Sequence, residues 1–225
     1  MRASIIMLPL AFTALLAGCD VSRVTDLVNP REATFDLNAV MTSLHTLDRS
    51  FTATAKHGAE SYQLFFRSTP IADGDMDGVV KKRASQTLTI RSNGNTVLAA
   101  NFTSYFASEP FQLVGARYGS GEVIITTTPH EPLPTSATIG SSGSLGTQTV
   151  YNNSRRTRVL ARQQTTWTLE PVIQGLANFC THSTISNLSN VIVSTTTTCA
   201  RINPDGEITS VNFKLPILGT SLSFE

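Results

Sequence analysis

The chain has 225 residues, 40% of them hydrophobic and 15% charged, which allows one sizeable core or at most two small ones. Lys and Arg number 17 against 16 for Asp and Glu, so no global field steers the protein to nucleic acid or to anionic lipid. One domain is the simplest organisation, and nucleic acid is not an expected partner.

The first element is a leader. Met1 and Arg2 give a minimal positive start, and the 14 residues from Ile5 to Gly18, IIMLPLAFTALLAG, are apolar and end in small side chains. That length suits a signal-peptide core and falls short of the ~20 apolar residues a membrane-crossing helix needs. Residues 1–18 are read as a signal peptide, and losing Arg2 with it would leave a neutral body. The segment Leu16-Ala17-Gly18-Cys19 resembles the lipobox of bacterial lipoproteins, here of a class without assigned activity. The resemblance covers the leader alone. It implies cleavage before Cys19, acylation of that cysteine, and attachment to a bacterial cell membrane or outer membrane, facing the periplasm or the exterior. Under enteric-type sorting Asp20 would favour the inner membrane. Even two acyl chains anchor stably, at roughly 0.8 kcal/mol per buried CH₂. The alternative is that Cys19 is an ordinary thiol in a leader cut elsewhere, but three cysteines in a secreted chain leave one to explain. Assigning Cys19 to lipid leaves the pair Cys180 and Cys199.

Residues 19–34 are polar, contain Pro30 and lack a steady period, so they read as a tether to a single β-rich domain over 35–225. In FDLNAVMTSLHTLDRS the apolar residues Leu37, Val40, Met41, Leu44 and Leu47 recur at helical spacing behind Asp36, a plausible N-cap, and predict one helix over 36–48. His45 is expected off that stripe, in solvent. From residue 50 the period is two. Pairing Ala55 with Tyr62 across the turn at His57–Glu60 sets Ala53 opposite Leu64 and Phe51 opposite Phe66, giving a hairpin with one apolar face.

A second hairpin is built on Asn93-Gly94, which suits a type I′ turn and would set Ile90 against Val97 and Leu88 against Ala99. In a third, Asn203-Pro204-Asp205-Gly206 sets Ile202 opposite Ile208. The segments GEVIITTTP, GTQTVYNNS, RVLARQQTTWTLE and NVIVSTTTTCARI are rich in Val, Ile and Thr and read as strands, with residues 128–146 the longest loop-like stretch. The expected fold is mainly β: an antiparallel meander curved into a partial barrel or sandwich, with the amphipathic helix packed across one face. Cys180 and Cys199 flank the turn candidate NLSN, Asn187 to Asn190, seven residues before it and nine after it, so a hairpin there brings them together as a cross-strand disulfide. The pair lacks the C-x-x-C spacing of redox chemistry.

Candidate sites are few. Asp73, Asp75, Asp77 and Gly78 match the opening of a calcium loop, but Ala84 occupies the position of the bidentate Glu and three basic residues intervene. A solvated turn is the expected reading, and neither metal nor cofactor is assigned. In SRRTRVLAR, strand parity would put Arg156, Arg158 and Arg162 on one face and Val159, Ala161, Trp167 and Leu169 on the other. The basic face could contact lipid phosphates or an acidic protein, though a water-facing strand side is the plainer reading. No G-x-S-x-G or H-E-x-x-H occurs, and His45, His57, His130 and His182 are far apart in sequence. Gly115, Gly119 and Gly121 read as hairpin turn residues. These features point to a lipid-anchored envelope protein that acts as a non-enzymatic binding or structural module, taking a protein partner or an apolar ligand. The alternative is an envelope hydrolase whose site is assembled from distant residues.

Overall fold

Strict alternation of apolar and polar residues is what this chain does best, and it produces hairpin after hairpin. The computed structural model describes residues 33–129, 131–172, 175–217 and 219–225, so the leader, Cys19 and most of the tether lie outside the described residues. The strands are β1 (Thr34–Phe35), β2 (Arg49–His57), β3 (Glu60–Met76), β4 (Val79–Ser92), β5 (Asn95–Ser108), β6 (Phe111–Tyr118) and β7 (Val123–Thr128). They continue as β8 (Ala137–Thr138), β9 (Ser142–Tyr151), β10 (Val159–Pro171), β11 (Ala177–Ser186), β12 (Ile192–Ile202), β13 (Ile208–Ile217) and β14 (Thr220–Phe224). Among the described residues β2–β7 and β9–β14 form one 12-stranded antiparallel sheet in sequence order, and β1 pairs with β8. The sheet curls into a nearly closed barrel. Thr54 and Glu225 exchange two backbone hydrogen bonds of 3.0 Å, joining the end of β14 to β2.

The apolar residues of each strand turn inward. Phe51 stacks on Phe66 at 5.1 Å and on Phe213 at 4.8 Å, so the first hairpin and β13 meet inside the barrel. Outward positions carry residues such as Gln63, Arg67, Arg162, Gln164 and Thr195, which are exposed. This is the reverse of a lipid-facing barrel, whose outer band is apolar. No helix among the described residues is long and apolar enough to cross a membrane.

The first hairpin has the expected register, Phe51 to Phe66, Ala53 to Leu64 and Ala55 to Tyr62. The third also does, with Ile202 opposite Ile208. The second is a correction. Asn93 and Gly94 form the turn with φ of 49° and 81°, but Ile90 pairs with Leu98 and Leu88 with Ala100, because a bulge absorbs Val97. Without the bulge Ala99 and Asn101 would point inward. With it Ala100, Phe102 and Ser104 are buried, so burial of Phe102 overrides the turn in setting register.

The 128–146 segment is also corrected. It contains β8 and the start of β9, and Leu133 and Ala137 are buried. Gly115 lies inside β6, where an added Cβ would come within 2.3 Å of the Ile124 carbonyl oxygen, so only a glycine lets β7 approach. At the other end of the tether, Thr34 already pairs with Thr138. Among the described residues one helix is present, α1 (Leu37–Thr46), with Asp36 as N-cap accepting from Ala39 N at 2.8 Å. Leu37, Val40, Met41 and Leu44 are buried, whereas Leu47 follows the last helical turn and is exposed.

Candidate functional site

In an up-and-down meander, successive turns alternate between two rims. The turns after β5 and β12 and the loop after β7 share the rim where α1 begins: Asp36 N donates to Pro204 O at 3.4 Å, and Leu37 N to Pro134 O at 3.0 Å. The turns after β9 and β11 belong to the opposite rim, where the unusual surface chemistry is found.

There the β11–β12 hairpin ends in a turn organised by one asparagine. The Asn187 side-chain oxygen accepts from Ser189 N at 2.9 Å and Val191 N at 3.0 Å, and Asn190 adopts a φ of 60°. The Cys180–Cys199 disulfide ties the two strands together, with 4.0 Å between the Cα atoms of directly opposed residues; the register beside the turn would set Cys180 against Thr198, and the extra residue Val193 brings Cys199 opposite instead. The β12–β13 ladder stops at Thr197 and Lys214, although β12 runs on to Ile192. Continuing that register would bring Thr195 against Pro216, which has no N–H to offer. The hairpin therefore outruns its neighbour. A bulge at Val193 turns consecutive residues outward, leaving Leu188 57%, Val191 57%, Ile192 61% and Val193 47% exposed. These are four of the eight large apolar side chains that the described residues leave exposed. From Pro171 to Ala200 the chain has no Asp, Glu, Lys or Arg.

Beside it is the β9–β10 loop, held by Asn152, whose side-chain oxygen accepts from Arg158 N at 2.9 Å and Thr157 Oγ1 at 3.0 Å. Arg156 and Arg158 are loop residues and Arg162 an outward residue of β10, so the expected shared strand face is corrected: the strand starts only at Val159, and a bulge before Ala161 resets its parity. Arg156 is bonded to Asp77 and lies 5.8 Å from the Tyr151 ring centre. Arg155, Arg158 and Arg162 are exposed, and among the described residues none forms an ion pair. Arg162 opposes Ser186, which opposes Ile192, so the basic and apolar groups are aligned across three adjacent strands.

Asp73 and Asp75 lie in β3, with only Asp77-Gly78 forming the turn, at φ of 60° and 78°. Asp73 is bound by Lys82 at 3.1 Å and Asp77 by Arg156. Among the described residues no group of three His, Cys, Asp or Glu side chains is arranged to hold a metal.

The described histidines are apart. His57 is exposed at the end of β2. His182 lies on the outer face, its Nε2 3.1 Å from Thr168 Oγ1 and its Nδ1 3.2 Å from Thr197 Oγ1. His45 is a further correction: it is 2% exposed, packs 5.1 Å from the Phe106 ring and 4.8 Å from Phe111, and donates from Nδ1 to Met41 O at 3.0 Å. It sits one turn above buried Met41, so the apolar arc of the helix is wider than the residues at 37, 40, 41 and 44 suggest. Burial holds its pKa down at about 4, opposed in part by the bond to Met41. His130 lies outside the described residues.

Behind the apolar tip, the inner wall is polar. Gln163 Nε2 reaches Thr165 Oγ1 at 3.2 Å and Ser183 Oγ at 3.3 Å, and those hydroxyls are 3.0 Å apart. Gln148, Ser194 and Thr196 extend this buried wall. Sequence reading missed Leu188, Val191 to Val193 and Arg155 as a surface. The charge-free run is the signal that marks it. No protein-family model, curated protein or solved structure matches the chain.

Proposed function

We propose that this chain is a lipid-anchored protein of the bacterial envelope, held by acylated Cys19, whose barrel works as a non-enzymatic binding module for another envelope protein. The observation that carries the anchor is the disulfide: Cys180 and Cys199 are joined, so Cys19, directly behind the apolar leader, is the one cysteine of the three left for acylation. The disulfide also suits the oxidising compartment to which such a leader directs a chain.

Of the two binding readings, the protein partner is the better supported. The concave side is filled by its own side chains, with the Phe51, Phe66 and Phe213 stack on one wall and the Gln163, Thr165 and Ser183 cluster on the other. Ile71, Val79 and Val80 remain exposed along the long β3–β4 hairpin. In this reading α1 lays its apolar stripe across the sheet and closes one mouth of the barrel, which leaves the outer surface to do the binding.

Intact mass spectrometry of the full chain from the membrane fraction tests the anchor. The expected mature protein begins at Cys19 and carries acyl groups, and both features disappear in Cys19→Ser. A mature protein with another first residue and no fatty acid would refute it. A photo-crosslinker at Val80 in intact cells tests the partner, with a discrete adduct of a second envelope protein as the expected product.

A further inference from the structure

We infer that the rim formed by the β11–β12 tip and the β9–β10 loop docks onto the lipid surface that holds the anchor: Leu188, Val191, Ile192 and Val193 enter the interface, while Arg155, Arg158 and Arg162 meet anionic headgroups. The inference rests on the anchored reading above and adds the orientation in which the barrel meets its membrane.

Three features of the molecule select this occupant. The apolar tip has no charged residue from Pro171 to Ala200, so nothing on the hairpin must be desolvated as an ion when it leaves water. The exposed arginines beside it supply the attraction for phosphate that an uncharged tip lacks. A second copy of the chain, by contrast, would bring two arginine groups together across a two-fold axis.

Reach is the third feature. The 11 residues of β12 cover about 35 Å from the rim near Pro204 to the tip. The chain from Cys19 to Ala33 can extend to about 50 Å. A barrel tethered at its helix rim can therefore turn its opposite rim onto the same bilayer. The Asn187 turn and the Cys180–Cys199 bridge hold the tip in shape beforehand, so little ordering is needed on contact.

The test uses the full chain reconstituted in phosphatidylcholine vesicles, with or without phosphatidylglycerol, and compares Val191→Trp with Leu47→Trp on the opposite rim against the background of native Trp167. With brominated phosphatidylcholine, the added emission of Val191→Trp is expected to be mostly lost, and that of Leu47→Trp retained. Phosphatidylglycerol should increase the loss. Replacing Arg155, Arg158 and Arg162 together with Gln should return it to the level on neutral vesicles. Unquenched Val191→Trp emission on both vesicle types overturns the inference, as does protection of position 191 by a second copy or by an acidic protein captured there. An acyl mass on the same sample separates the two readings. Acylated chain whose Val191→Trp emission survives defeats the docking rim alone, whereas quenched emission without acyl groups defeats the anchor alone.

Discussion

Two stretches of the barrel's inner wall hold their strands together by different means. Across β2 to β5 and β13 the inward residues are mostly apolar, Phe51, Leu64, Phe66, Leu88, Ile90 and Phe213 among them, buried and in part stacked, with Ser68, Gln86 and Ser104 as the buried polar members. Towards the tip of β9 to β12 they are Gln148, Gln163, Thr165, Ser183, Ser194 and Thr196, buried as well but polar. The first wall gains in proportion to apolar area removed from water, and the second gains only the small net difference between protein and solvent hydrogen bonds. The difference gives the disulfide its meaning. It crosses β11 and β12 on the outer face, at the level where the inward polar pairs Thr181–Thr198 and Ser183–Thr196 give way to Phe179 and Ala200, and adds a constraint that does not depend on packing.

The contrast can be broken at its strong side first. Phe66→Ala should lower the unfolding free energy by about 4 kcal/mol in denaturant titrations. A loss as small as that of Thr165→Val would erase the distinction. Next comes acid. His45 is the ionisable group set among Phe106, Phe111 and Met41, with a folded pKa of about 4 against an ordinary 6.5. As pH falls below about 6.5 the unfolded chain takes the proton first, so the contribution of neutral His45 to stability is full above that value, is lost through the interval down to about 4, and changes no further below it. The expected decline is about 3 kcal/mol. His45→Gln should flatten that interval, whatever it does to the baseline at neutral pH.

On the polar side, reduction of the Cys180–Cys199 bridge, or its replacement by serines, should cost about 3 kcal/mol, from a sequence separation of 19. Thr165→Val is expected to cost only about 1 kcal/mol, by removing the hydroxyl that contacts Ser183 and accepts from Gln163, each of which keeps its contact with the other. If Thr165→Val exceeded the disulfide, the polar wall and not the bridge would be holding this side together.

What can be read from the residues follows the same physics. The β2–β3 register is legible because Phe51, Ala53 and Ala55 alternate strictly with polar residues, and no irregularity interrupts them. The β4–β5 register is not, because the extra residue at Val97 is demanded by Phe102, five positions on, and not by the Asn93-Gly94 turn. His45 escapes sequence reading because a four-residue stripe understates the arc that a helix can bury. The aspartates lose their loop because β3 continues to Met76. The docking rim is half legible. The strand and turn can be read, but how far the tip projects depends on β13 leaving β12 at Lys214, near Pro216, in another hairpin.

The order of the strands has one further consequence. Every ladder in the large sheet but one joins elements adjacent in the sheet's own sequence, so each can zip as soon as its turn forms. The exception is the contact between Thr54 and Glu225, which must bring together opposite ends of the fold. That junction is expected to form last and to open first. Amide hydrogens at Thr54 and Glu225 should exchange ahead of those in the neighbouring ladders, as a door opens at its latch before its hinges give.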